Sequence, residues 1–210
     1  MPSLFSPNFA PVIQALPAMQ QSIFVDANAW RPKFQNAQQG ALHLAIFGDW
    51  PSIRITRERL LHFDYADPIR KVAEILLWGY PKDQRGIVSR QLANLNLIAD
   101  GAVAEVAWPA YFEAFPEGLG ISTITKLAYF HDRYFEGLRS LILDQRLIDN
   151  TAKWSEVAVP NLGYGTAQQL YLQYLQVMHA ASAHPNLGCA ADQLEFFLFS
   201  LGDAFGLPEE

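Results

Sequence analysis

Lys126 is one of only five lysines in the chain, and it lies inside the run Gly118-Leu119-Gly120-Ile121-Ser122-Thr123-Ile124-Thr125-Lys126-Leu127-Ala128-Tyr129-Phe130. An aspartate, Asp144, follows eighteen residues later, directly after the apolar triplet Leu141-Ile142-Leu143. A lysine amine among Ile, Leu, Tyr and Phe near a helix start is where desolvation and the helix dipole both favour the neutral form. A neutral amine is a nucleophile, and a carboxylate in reach can stabilise positive charge that develops beside it. The pair therefore suggests Schiff-base chemistry at an electrophilic carbon. The plainer reading is an ordinary lysine on a short amphipathic helix.

The elements that must position this pair are read as helices. Thr56 is placed to cap a helix over Arg57–Phe63, and Asp67-Pro68 is a start signal for Ile69–Trp78, which Gly79-Tyr80-Pro81 ends. Apolar spacing near 3.6 predicts further helices over 87–98, 101–114, 122–134, 145–152, 166–182 and 190–201. Five prolines in the first 50 residues predict short helices and loops there. Ile53–Ile55 and Leu141–Leu143 are short strand candidates, outweighed by their helical neighbours. The expected fold is all-α, a single domain over 1–210 made of two closely packed helical subdomains with a cleft between them.

Composition narrows the chemistry. Charged residues are 17% of the chain and half of it is apolar, which excludes a disordered polymer and supplies a core. The single cysteine, Cys189, excludes an intrachain disulfide and a cysteine zinc cage. His131, His179 and His184 have no metal-ligand spacing, so no metal is expected, and lysine Schiff-base chemistry needs no organic cofactor. The start lacks a basic region followed by an apolar core, and no apolar run reaches the ~20 residues of a membrane span, so a cytoplasmic protein without a membrane partner is expected. A net charge of −6 argues against nucleic-acid binding by bulk electrostatics. The charge is uneven, however: residues 50–100 carry eight basic and six acidic side chains, against one and six in 151–210. Backbone N–H groups at a helix start can also hold a phosphate without any side-chain charge.

Phe115-Pro116-Glu117-Gly118-Leu119-Gly120 followed by a helix resembles the hairpin of the helix-hairpin-helix DNA glycosylase superfamily, usually written Leu-Pro-Gly-Val-Gly. With Lys126, Asp144 and Ile142-Leu143-Asp144-Gln145-Arg146, the region resembles the 8-oxoguanine DNA glycosylase branch in its short, divergent bacterial form, with the hairpin motif over about 111–134. In the commonest form of the motif the lysine directly follows the hairpin. Ser122 holds that position here, Glu117 is an apparent insertion, and Lys126 lies one turn further along the same helical face.

The resemblance implies a DNA-repair-type bifunctional N-glycosylase and AP lyase that flips an oxidised purine such as 8-oxoguanine out of damaged double-stranded DNA, acting as a monomer. It casts Lys126 and Asp144 as catalytic, and Gly118, Gly120 and Ser122 as contacts to the DNA backbone. Glu195 and Phe199 fall where these enzymes carry a base-contacting glutamine and a stacking phenylalanine. A carboxylate at Glu195 could accept from the N1–H and N2–H₂ groups of guanine. Phe130 is a candidate for the opposite wall, with core packing as its ordinary role, and Trp78-Gly79-Tyr80 and Trp50 are candidates for a wedge or pocket lining, with apolar packing as the plainer reading of each. Two alternatives remain: a non-catalytic module that binds nucleic acid or protein through the hairpin, and an enzyme acting on modified RNA bases or nucleosides, in either case in a phage-defence setting.

Overall fold

In a computed structural model, which describes residues 3–62, 64–83 and 86–201, the chain is mostly helical, and its first helices are α1 (Phe9–Ala15), α2 (Ala27–Trp30) and α3 (Ala37–Phe47). The expected breakpoints largely hold. Thr56 Oγ1 accepts from the Arg59 N–H and caps α4 (Arg57–His62), whose expected last residue, Phe63, lies outside the described residues. Asp67 accepts from the Ile69 N–H at 2.9 Å and Pro68 occupies the first turn of α5 (Pro68–Gly79), which buries Val72 to Trp78 without interruption.

Two expectations need correction. Ile53–Ile55 belongs to a strand after all. β2 (Ser52–Thr56) pairs antiparallel with β1 (Ser22–Asp26) in the register Ser22↔Thr56 to Asp26↔Ser52, a two-stranded ribbon. Each strand buries one central residue fully, Val25 and Ile55, so the ribbon is held by tertiary packing that a local pattern does not reveal. The helix expected over 101–114 is instead the end of α7 (Leu95–Ala102) and a separate α8 (Trp108–Glu113), while 87–98 divides between α6 (Ile87–Gln91) and α7. Pro109, in the first turn of α8, fits a new helix start better than a continuation.

The helix carrying Lys126, α9 (Ile121–Phe130), is central: every residue except Ser122 is buried. It packs on α5. After a tight antiparallel turn (β3 Tyr134–Phe135, β4 Leu138–Arg139) the chain passes through Leu141–Leu143 to α10 (Gln145–Thr151), and α11 (Ala167–Ser182) and α12 (Ala191–Leu201) complete the frame.

Candidate active site

The hairpin before α9 forms as a turn between two helices. Gly118 has φ +92°, a left-handed conformation closed to most side chains. Gly120 is the N-cap of α9, offers no capping side chain, and stands so close to the Tyr164 hydroxyl that a Cβ there would collide with it. Conformation requires glycine at 118, whereas a side chain at 120 would have to displace the exposed Tyr164 ring. The Gln91 amide donates to Glu117 O at 3.2 Å and holds the turn from behind.

One turn into α9, the Lys126 amine folds back on Ser122. Nζ donates to the Ser122 carbonyl at 3.2 Å and to its Oγ at 2.5 Å. The residue directly after the hairpin thus holds the amine supplied one turn later, and its hydroxyl is engaged with Lys126. Lys126 is 7% exposed, and among the described residues it forms no ion pair. Its stem passes over Gly79 at the end of α5: a Cβ on Gly79 would lie 3.1 Å from Lys126 Cδ.

Asp144 arrives by a different route. Leu141–Leu143 is buried and lies outside any helix or strand, and its backbone groups are satisfied by side chains instead. The Tyr171 hydroxyl donates to Leu141 O at 2.6 Å and accepts from Leu141 N at 3.1 Å. Ile142 N donates to Glu195 Oε2 at 2.7 Å, and the Tyr174 hydroxyl donates to Ile142 O at 2.9 Å. Leu143 N donates to Thr125 Oγ1 at 3.0 Å. Thr125 is the α9 neighbour of Lys126, so this bond ties the approach to Asp144 directly to the lysine helix. Asp144 then caps α10, its Oδ1 accepting from Leu147 N at 3.0 Å.

Lys126 and Asp144 meet in one pocket of about 290 Å³, together with Glu195 and Phe199 of α12. Trp78 and Gly79 of α5 form another side, and Gln21, Ser22 and Ile23 bring the start of the ribbon to it. Phe199 is half-buried on the lining, with the Arg146 guanidinium 5.2 Å from its ring centre. Phe130 does not line the pocket. It is 1% exposed and packs edge-on against Trp78 at 5.2 Å, so Trp78 forms the wall and Phe130 supports it from the core. The Tyr80 hydroxyl bonds to Thr123 Oγ1 at 2.8 Å, and Trp50 is 73% exposed.

Glu195 departs from the expectation that it faces a base directly. It is 1% exposed, and both its oxygens are engaged within the protein: Oε2 by Ile142 N, Oε1 by Arg57 Nη2 at 2.9 Å. Burial pushes the Glu195 carboxyl up, against the pull of the Arg57 charge and the Ile142 N–H. Arg57 stays cationic. Burial opposes its charge, but Glu195, with Tyr129 and Asp192 nearby, more than restores it.

Sequence reasoning missed Arg57 and Thr125. Arg57 reads as an ordinary first-turn residue of a short helix, and Thr125 as one of two threonines flanking Ile124. Only the pairing of a buried arginine with a glutamate 138 residues away reveals the first. Among the described residues no three His, Cys, Asp or Glu side chains gather as a metal site would need, and no helix is long and apolar enough to cross a membrane.

No curated protein and no solved structure matches the chain. A family model described as "Putative 8-oxoguanine DNA glycosylase OGG-like protein" matches residues 16–199, which span the ribbon, the hairpin, Lys126, Asp144 and Phe199. With most of its length matched and a predominantly helical fold, the chain belongs to this OGG-like family of glycosylase type, and that family implies a DNA substrate.

Proposed function

We propose that the pocket is the excision site of a bifunctional N-glycosylase and AP lyase acting on an oxidised purine, such as 8-oxoguanine, in double-stranded DNA. The observation that carries this reading is the convergence of Lys126 and Asp144, eighteen residues apart in the chain, on one pocket that α12 closes with an aromatic side chain. The target nucleotide rotates out of the duplex, at a cost of a few kcal/mol, roughly, that is lower for a lesion. Phe199 offers its ring to the base. Lys126 Nζ bonds to C1′ of the deoxyribose as the C1′–N9 bond breaks, and the bonding pair leaves with the base, which takes up a proton. Asp144 stabilises the positive charge developing on the sugar and receives the proton shed by the amine.

Opening of the sugar ring leaves a Schiff base between Lys126 and C1′. Loss of a C2′ proton then expels the 3′ phosphate and nicks the strand. Ser122, which accepts from the resting amine, keeps Nζ directed along its own face of α9 until the sugar arrives. The helix-hairpin-helix turn at Gly118 and Gly120 would approach the DNA backbone, since no side chain caps the α9 start and its first N–H groups suit a phosphate oxygen.

Borohydride trapping tests the proposal. Protein incubated with an 8-oxoguanine duplex and reduced should give a covalent adduct that Lys126→Ala abolishes. Absence of any adduct with either damaged or abasic DNA would overturn the lyase reading. Adduct on single-stranded RNA in preference to duplex DNA would redirect it to modified RNA bases.

A further inference from the structure

Among the described residues, seven buried side-chain polar atoms have no hydrogen-bond partner, and four of them belong to residues lining this one pocket: Gln21 Oε1, Trp78 Nε1, and Arg57 Nε and Nη1. Arg57 is the most costly of these. It is 1% exposed, and only Nη2 is engaged, by Glu195. The three N–H bonds on Nε and Nη1 therefore have no acceptor within the protein. A buried donor left unmade is destabilising, and more so on a charged group. Aromatic rings flank the guanidinium, with Tyr129 at 5.0 Å, Phe196 at 5.8 Å and Trp78 at 5.9 Å, and these steady a cation without accepting its hydrogen bonds as an oxygen does.

We propose that Arg57 is the specificity-determining residue of the pocket, donating from Nε and Nη1 to a carbonyl oxygen on the edge of the extruded base, and that Glu195 is the positioning residue that aims it. The inference rests on the excision reading above and deepens it. A guanidinium has donors and no acceptor. A base that turns a carbonyl toward it satisfies the buried N–H groups, whereas a base with an amino group at that place opposes donor with donor and leaves both unpaired. Arg57 thus selects oxidised guanine over oxidised adenine. Glu195 cannot play this part itself, because both of its oxygens already serve Arg57 and Ile142.

The test compares single-turnover excision from four matched duplexes carrying 8-oxoguanine, 8-oxohypoxanthine, 8-oxoadenine or an abasic site, each rate divided by that enzyme's abasic cleavage rate. 8-Oxohypoxanthine keeps the C6 carbonyl and lacks the 2-amino group, while 8-oxoadenine carries an amino group at C6. The intact protein should treat the first two within about tenfold of each other and excise 8-oxoadenine at least ~50-fold more slowly, the range one arginine contact supplies. In Arg57→Met the normalised 8-oxoguanine rate should fall by a similar factor and the gap to 8-oxoadenine should collapse, with Arg57→Lys restoring part of it. Glu195→Gln should move the same base preference in the same direction but by less, because an amide oxygen can still accept from Arg57. If Arg57→Met slows excision and abasic cleavage in equal proportion, or leaves the base preference intact, Arg57 only supports the fold and the inference is overturned. Cleavage of abasic DNA with no excision of any of the three bases removes the inference but leaves the Lys126 chemistry standing. Failure on all four substrates removes both.

Discussion

Lys126 reaches the pocket from a ten-residue helix whose start is announced by two glycines, whereas Asp144 reaches it at the end of a segment outside any helix or strand. The first placement is local. Ser122 and Lys126 are one turn apart, so helical geometry alone stacks the hydroxyl against the amine. The second is assembled from a distance: Tyr171, Tyr174, Glu195 and Thr125 come from three helices to satisfy a few buried amides and carbonyls. The lysine's address is therefore written in its own helix, and the carboxylate's address is written in side chains up to 53 residues away. Substitutions around Asp144 should trade stability and activity together, while substitutions around Lys126 can separate them.

The largest expected effect is at Glu195, where the two halves of the frame meet. Glu195→Ala strands the Arg57 cation and the Ile142 N–H at once. A buried ion pair broken from one side costs about 3–5 kcal/mol, so the urea midpoint should fall steeply and little activity should survive. A variant as stable as the parent would show that the pair is not part of the frame.

Next come the segment's other supports. Tyr171→Phe removes both bonds to Leu141, and Thr125→Val removes the acceptor for Leu143 N. Each leaves buried backbone groups unpaired at a cost of about 1–3 kcal/mol. Thr125→Val should also slow adduct formation more than Tyr171→Phe does, because its bond lies one residue from Asp144. Equal rates in the two variants, measured by single-turnover trapping, would mean that Asp144 is held by its cap on α10 alone.

How much of this was legible in the sequence follows the same division. The hairpin, Lys126 and the α5 start could be read because glycine conformation, helix periodicity and Asp-Pro capping act over a few residues. Asp144 and Phe199 were singled out by the resemblance, through the aspartate's spacing from Lys126 and the place where such enzymes carry a stacking phenylalanine. The role of Glu195 was not legible, because its partner Arg57 lies 138 residues away and nothing local marks either as buried. Leu141–Leu143 looked like a weak strand for a sound reason: it is short and apolar. Its hydrogen bonds go to tyrosine, glutamate and threonine side chains, a choice that depends on α9, α11 and α12 being in place. The β1–β2 ribbon was missed on the same grounds, since each strand has only one fully buried central residue to signal a face.

Gly79→Ala separates stability from activity at the lysine. Alanine favours a helix over glycine by up to about 1 kcal/mol, and Gly79 ends α5 without a left-handed φ, so stability should hold or rise slightly. The new Cβ, 3.1 Å from Lys126 Cδ, must push the lysine stem aside, and adduct formation should drop roughly tenfold or more, as small displacements of a reacting group do. Unchanged trapping would show that the Lys126 stem has room to spare.

At the far end of α9 the expected effect is absent at neutral pH and appears only on acidification. Burial lowers His131 from 6.5 to about 4, against its hydrogen bond to Leu127 O. The unfolded chain then takes up this proton before the folded one. The contribution to stability is full above about pH 6.5, declines as pH falls toward about 4 and is level below that. The slope should be less than about 1.4 kcal/mol per pH unit, and the difference between the parent and His131→Gln isolates it from the carboxylates. Parallel stability curves for the two proteins would contradict the assignment.

Peptide mapping of the borohydride-reduced adduct tests the central claim most directly, because it asks which amine the sugar has met. With an 8-oxoguanine duplex, the deoxyribose remnant should be found on Lys126, and Asp144→Asn should diminish its yield without moving it. A remnant on Lys33, Lys71, Lys82, Lys153 or the N-terminal amine, with Lys126 unmodified, would contradict the account.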